Sequence, residues 1–195
     1  MILNMPIDQL RKKHNVHCLG PDPDSTDRPT LILAHGFGCD QQIWSPVARI
    51  LSEHYPLVLL DHMGCGRSDL STYQPQKYSN LSGYAQDLVD LVQGLDLERS
   101  ILIGHSVSGA IGWLASLIKP GLFRQEIAIG PSPDVDQLID LMERNHFEWA
   151  GYLAPIAMAA SDRPALAEQL RQTFLHADPV ISRRFANATF NSDIR

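Results

Sequence analysis

The sequence predicts an α/β architecture, a mostly parallel sheet with helices on both faces. Short apolar runs carry the first part of that expectation. Thr30-Leu31-Ile32-Leu33-Ala34, Leu57-Val58-Leu59-Leu60, Ser100-Ile101-Leu102-Ile103 and Glu126-Ile127-Ala128-Ile129 each stop at loop-forming residues. Such runs are too short for helices and suit strands buried on both faces. Between them lie longer segments with apolar residues at helical spacing, and buried strands alternating with amphipathic helices define a doubly wound sheet. The chain has 195 residues, 44% hydrophobic and 19% charged, which is the balance of one ordered domain with a core rather than of a disordered chain.

Taken in order, residues 1–13 carry little signal beyond a short helix. His14 to Leu19 alternates weakly and suggests an edge strand, and Gly20 to Pro29 is dense in turn formers. The first buried strand, Thr30 to Ala34, runs into His35-Gly36-Phe37-Gly38. A helix is expected from Gln42 to His54, with Ile43, Val47, Ile50 and Leu51 on one face. The second buried strand ends in Asp61-His62-Met63-Gly64-Cys65-Gly66, a tight glycine turn in which Asp61 is expected to cap. This is not a dinucleotide fingerprint, because Asp69 stands where the third glycine belongs. Leu81 to Leu95 reads as an amphipathic helix. The third strand leads to Gly104-His105-Ser106-Val107-Ser108-Gly109 and a long helix that closes at Lys119-Pro120-Gly121.

After Pro131-Ser132-Pro133 the texture changes to four helical segments with no strand candidate. The first holds Leu138, Met142 and Trp149, and the second runs from Gly151 to Ala160. The third opens at Asp162-Arg163-Pro164. The fourth opens at Asp178-Pro179, an N-cap followed by proline at the first helical position. An all-helical insertion after a sheet strand is expected to form a lid. The expected boundaries are a sheet core over 1–133, a helical lid over 134–190, and a return to the core over 191–195.

Composition excludes several function classes. The net charge of −6, with only Arg11-Lys12-Lys13 as a basic cluster, offers no face for nucleic acid. No apolar run reaches membrane-spanning length, and the N-terminus lacks the order of a signal peptide. Cys18, Cys39 and Cys65 are odd in number and show no C-x-x-C. The sequence therefore suggests reduced thiols in a cytoplasmic protein, with no metal and no cofactor.

The strand–turn–helix pattern at Gly104-His105-Ser106-Val107-Ser108 is the nucleophile elbow of an α/β-hydrolase, with Ser108 in place of the second glycine. Ser106 is the candidate nucleophile. Val107 starts the following helix, where N–H groups lack intrahelical acceptors and the dipole favours an anion, so its N–H is one oxyanion donor. The second donor is expected from the glycine loop after the first buried strand, at Phe37. His105 is expected to turn its ring into the fold.

His35 to Gln41 with Trp44, Asp61 with Gly64, Gly66, Ser68 and Asp69, the elbow, Gly130 to Pro133, Trp149 and Phe190 to Asp193 together resemble the RsbQ family of α/β-hydrolases. The plant strigolactone and karrikin receptors are similar to that family, and Ser108 is an elbow variant of those relatives. The resemblance implies a four-helix lid over an apolar pocket lined by His35, Gly36, His105, Trp149 and Phe190. It implies hydrolysis of a small, largely apolar ester or lactone. It also implies a regulatory partner, a phosphatase carrying a PAS domain. In this fold the triad runs Ser, Asp, His along the chain. The family's acid and base lie beyond the lid, so the chain is expected to be a piece of a longer protein, with the last strands absent and these 195 residues alone inactive. Asp193 is not the triad acid. Asp134, His146 and His176 are the remote substitutes within the chain. The alternatives to an enzyme are a ligand-gated signalling module and a pseudoenzyme.

Overall fold

The computed structural model describes residues 6–97, 100–130 and 164–190. Five strands form one sheet: β1 (His17–Leu19), β2 (Leu31–Ala34), β3 (Leu57–Leu60), β4 (Ile101–His105) and β5 (Gln125–Ile129). Their spatial order is β1-β3-β2-β4-β5. Among the described residues β1 alone is antiparallel, against β3; β3, β2, β4 and β5 pair in parallel. The helices are α1 (Ile7–Lys13), α2 (Ser45–Leu51), α3 (Leu81–Gly94), α4 (Val107–Ile118), α5 (Pro164–His176) and α6 (Pro179–Phe190).

Why the central strands read as continuous apolar runs is visible in the core. Successive side chains point to opposite faces, and both faces are covered. Ile32, Ala34, Val58, Leu60 and Leu102 pack with α3 and α4, including Tyr84, Leu88, Ile111 and Ala115. Leu31, Leu33, Leu57 and Leu59 pack on the other face with Trp44 and Ala48. The α3 helix starts where the Asn80 side chain accepts the Ser82 N–H at 2.9 Å, a side-chain N-cap.

The structure corrects two expected spans and the expected burial of a third element. The stretch expected as one helix from Gln42 to His54 is a 3-10 turn over Gln41–Trp44 followed by the short α2. Asp40 caps the turn by accepting the Gln42 N–H, and the two pieces bury Trp44 and Ala48, while Ile43 and Leu51 of the expected stripe pack half-buried against the core. Val47 and Ile50 are 45% and 62% exposed. The β1 edge strand begins only at His17, because Asn15 just before it sits at φ +44°, outside the strand region. The β5 strand is parallel as expected, but it pairs on one side only among the described residues, and Ile127 and Ile129 are largely exposed.

Of the four helical segments expected over 134–190, the last two are α5 and α6; the first two, with Leu138, Met142 and Trp149, lie outside the described residues. Asp178 caps α6 as its sequence predicts: one carboxylate oxygen accepts the N–H groups of Val180 and Ile181, both at 2.9 Å. The helix seats Phe185 and Ala186 in the core, and it fits the Gly64 turn closely enough that a side chain on Gly64 would overlap Ile181. Among the described residues no helix is long and apolar enough to cross a membrane.

The N-terminal helix is anchored by charge. Asp87 of α3 is buried and accepts from the Lys13 Nζ at 2.5 Å, the Lys77 Nζ at 2.6 Å and the Tyr78 hydroxyl at 2.6 Å. Burial pushes its carboxyl up, but the surrounding bases, His14, Lys13 and Lys77, bring it net below the ordinary range. Removing one partner of a buried pair strands the other charge in the core. Asp87→Asn should therefore lose about 3–5 kcal/mol of stability in urea unfolding. An unchanged unfolding midpoint would contradict the ion-pair anchor.

Candidate active site

The parallel register brings the chemistry-bearing residues together. Ala34 stands level with Leu60 on one side and Gly104 on the other. The chain segments leaving these three strands, at His35, Asp61 and His105, therefore emerge at one edge of the sheet. Ligand sites in open α/β sheets form at this carboxyl edge.

Ser106 connects β4 to α4 with φ +53° and ψ −121°. A serine in that region is strained by roughly 1–3 kcal/mol, so its surroundings must hold it there. Its N–H donates to the Ile129 carbonyl at 2.9 Å, and its carbonyl accepts the Gly109 N–H at 3.1 Å. Gly104 allows the reversal, because a Cβ there would lie 2.7 Å from the Ser108 carbonyl group.

The glycine loop after β2 closes over this turn. A Cβ on Gly36 would sit 3.1 Å from the Ser106 Cβ and 2.5 Å from the His105 Nδ1. Only a glycine permits that approach. Gly38 turns the loop at φ +68°. Phe37 is buried, and its ring meets Phe185 of α6 edge to face at 5.5 Å. The structure thus brings Gly36 against the Ser106 turn, with Phe37 next to it in the chain and Val107 opening α4 directly after the serine.

The rings of the two histidines expected in the pocket have partners within the fold, as expected of the His105 ring. His105 packs edge-on against Trp44, and its Nδ1 is buried with no hydrogen-bond partner among the described residues. His35 is fully buried, and its ring faces His62 at 4.8 Å. Trp149 lies outside the described residues, and Phe190 ends α6 with its side chain outside them as well. Of the substitute groups, His176 hydrogen-bonds the Gln172 carbonyl of its own helix at 2.6 Å, while Asp134 and His146 lie outside the described residues, as does Asp193. Among the described residues no imidazole is hydrogen-bonded to the Ser106 hydroxyl.

Asp61 caps. One carboxylate oxygen accepts the Gln41 N–H at 2.8 Å, and the other accepts the Asn15 amide at 2.7 Å and the Arg67 N–H at 2.9 Å. It ties the loops after β2 and β3 to each other. Cys39 and Cys65 are buried, and burial pushes the Cys39 thiol up to about 12 and Cys65 well above its ordinary value, so neither is a thiolate at neutral pH. Among the described residues no three His, Cys, Asp or Glu side chains gather as a metal site would require.

Sequence reasoning missed a buried polar chain behind the elbow. His62 Nε2 lies 2.6 Å from the Ser108 hydroxyl, which lies 2.5 Å from the His35 carbonyl. The His62 N–H donates to His35 Nε2 at 3.0 Å, and His35 Nδ1 lies 2.8 Å from the Gly36 carbonyl. No signal in the sequence marks it, since the bond depends on β2 lying between the strands that lead to His62 and Ser108. Burial pushes both imidazoles below their ordinary range.

The sequence profile of the alpha/beta hydrolase family matches residues 31–193. The chain is 30% identical over 201 residues to the karrikin insensitive 2 receptor CA of Petunia hybrida, covering 95% of this chain and 73% of that protein. It is 33% identical over 180 residues to the strigolactone esterase D14 of Arabidopsis thaliana, covering 85% of this chain and 67% of that one. Among solved structures, a hydrolase from Oleispira antarctica superposes with a TM-score of 0.90 at 34% identity, over 99% of this chain and 75% of that one.

The buried imidazoles make stability depend on pH. His14, His35, His62 and His105 all have folded values below the ordinary histidine range, burial being the main cause. The unfolded chain takes up these protons near pH 6.5, where the fold refuses them, so stability is full above that point and falls below it. Each refused proton contributes about 1.4 kcal/mol per pH unit. Urea titrations between pH 7.5 and 5.5 should show a loss steeper than about 1.4 kcal/mol per unit below pH 6.5. A flat profile across that window would contradict neutral buried histidines.

Proposed function

Because the chain belongs to the alpha/beta hydrolase family, we propose that it is a serine hydrolase that opens a small, largely apolar ester or lactone through an acyl-enzyme on Ser106. One observation carries the reading: Ser106 is held at φ +53° between strand and helix while Gly36 approaches its Cβ. A serine in that position presents its Oγ at the carboxyl edge of the sheet.

In this reading Ser106 Oγ attacks the carbonyl carbon. The Phe37 and Val107 N–H groups receive the negative charge on the carbonyl oxygen. Such donors act most strongly in the transition state, in a site that excludes water. A histidine from outside the described residues takes the serine proton and passes it to the alkoxide as the carbon–oxygen bond breaks. Water then attacks the acyl carbon and gives its proton to the same base, which returns it to Ser106 Oγ as the acyl–oxygen bond breaks and the acid leaves. The apolar substrate preference rests on the surroundings of the loop, where Phe37 and Phe185 pack. Residues 134–190 act as the lid, with Trp149 and Phe190 lining the pocket, and the site needs no metal or cofactor.

The names of the relatives favour a second reading, in which ligand binding itself is the output. Three of the matched plant proteins are called karrikin insensitive 2 receptors. A regulatory role of the RsbQ kind, in the cytoplasm with a PAS-domain phosphatase as partner, would combine both readings. Turnover of p-nitrophenyl acetate and of a small apolar lactone by the native protein tests the enzyme reading. Ser106→Ala should abolish turnover while leaving the unfolding midpoint near that of the wild type. Turnover that survives the substitution, or a wild type that hydrolyses neither compound, would overturn it.

A further inference from the structure

The polar chain behind the elbow has a direction that its acceptors determine. The His35 carbonyl can only accept, so the Ser108 hydroxyl donates to it. Ser108 Oγ must then accept from His62, which makes His62 the neutral Nε2–H tautomer. The His62 backbone N–H donates to His35 Nε2, so the His35 proton sits on Nδ1 and goes to the Gly36 carbonyl. Every bond in the circuit is thereby satisfied with both imidazoles neutral, as their complete burial requires.

Position gives the circuit its consequence. Ser108 lies one residue after Val107, in the first turn of α4, and the carbonyl that it holds belongs to the residue before Gly36 and Phe37. One hydroxyl therefore spans the two chain segments that would supply the oxyanion donors. The elbow pattern has glycine at this position, and glycine has no hydroxyl with which to make the link. His62 holds that hydroxyl in place. Its own ring is fixed from the other side by Phe185 of α6 at 5.9 Å and by Tyr84 at 6.1 Å, which stack on one another at 4.1 Å.

We propose that His62 and Ser108 are positioning residues that set the distance between the Phe37 and Val107 N–H groups, and so the width of the oxyanion hole. The proposal rests on the hydrolase reading above for its catalytic consequence, but the strut itself can be tested without turnover. Neither residue touches the reacting atoms. Ser108→Ala removes the link and keeps the volume close to that of the wild type. His62→Leu removes the donor, while His62→Gln retains an amide donor near the place of Nε2.

Two measurements on the full chain test it. In amide NMR spectra, Ser108→Ala should shift the Phe37 and Val107 resonances together, with those of Lys13 unmoved, and ¹⁵N-labelled histidine should report the Nε2–H tautomer of His62 in the wild type. With p-nitrophenyl acetate, Ser108→Ala and His62→Leu should lower kcat between about 10- and 100-fold with KM unchanged, as sub-ångström misplacement of catalytic groups does. His62→Gln should recover at least about a third of the wild-type rate, given a donor in nearly the same place. Folded Ser108→Ala or His62→Leu variants with unchanged kcat would overturn the proposal, as would unmoved Phe37 and Val107 amides. If the native protein, rather than these 195 residues alone, shows no turnover, the hydrolase reading fails, and the amide shifts alone decide for or against the strut.

Discussion

At Ser106 the backbone reverses from strand to helix in a conformation that an L-residue avoids, and the rest of the site is arranged to hold it there. Two glycines make the reversal possible for different reasons. Gly104 lets the first turn of α4 lie against the strand that feeds it, and Gly36 lets a second loop lie against the serine itself. Strain of this size persists only where packing on several sides over-determines it. Here the Ile129 carbonyl holds the serine N–H from the neighbouring strand, and the Asp61 carboxylate ties down the loops around it.

Charge is distributed to suit that geometry. The ionised cluster of Lys13, Lys77 and Asp87 lies away from the elbow and fastens α1 to α3. Next to the elbow, besides the Asp61 carboxylate that caps the loops, lie imidazoles that burial keeps neutral. A neutral histidine can both donate and accept, so His35 and His62 build a hydrogen-bonded circuit without a buried charge. The cost is sensitivity to acid, since each imidazole is a proton that unfolding would take up.

How much of this could be read from sequence depends on how local each feature is. The parallel strands were legible because double-sided burial leaves a run with no polar alternation, as in Leu31 to Ala34 and Leu57 to Leu60. The elbow was legible because a glycine two residues before a serine, followed by a helix, has few other uses. The α6 start was legible because Asp178 and Pro179 cap it by local chemistry. The helix after Gly38 was misread because apolar spacing alone could not show that Trp44 and Ala48, not Val47 and Ile50, meet the sheet. The His62–Ser108 bond was not legible at all, for it depends on which strands are neighbours. The inward turn of the His105 ring was legible from its place in the elbow, but the ring partners of His35 and His105, His62 and Trp44, are tertiary and spacing does not reveal them.

The account turns on Ser106 being the reactive serine and Ser108, two residues away, being its support. Treating the native protein with a fluorophosphonate probe and mapping the adduct by peptide mass spectrometry tests this most directly. The predicted result is one phosphonyl group, on Ser106, with Ser108 unmodified. An adduct on any other serine, or none at all, would contradict it.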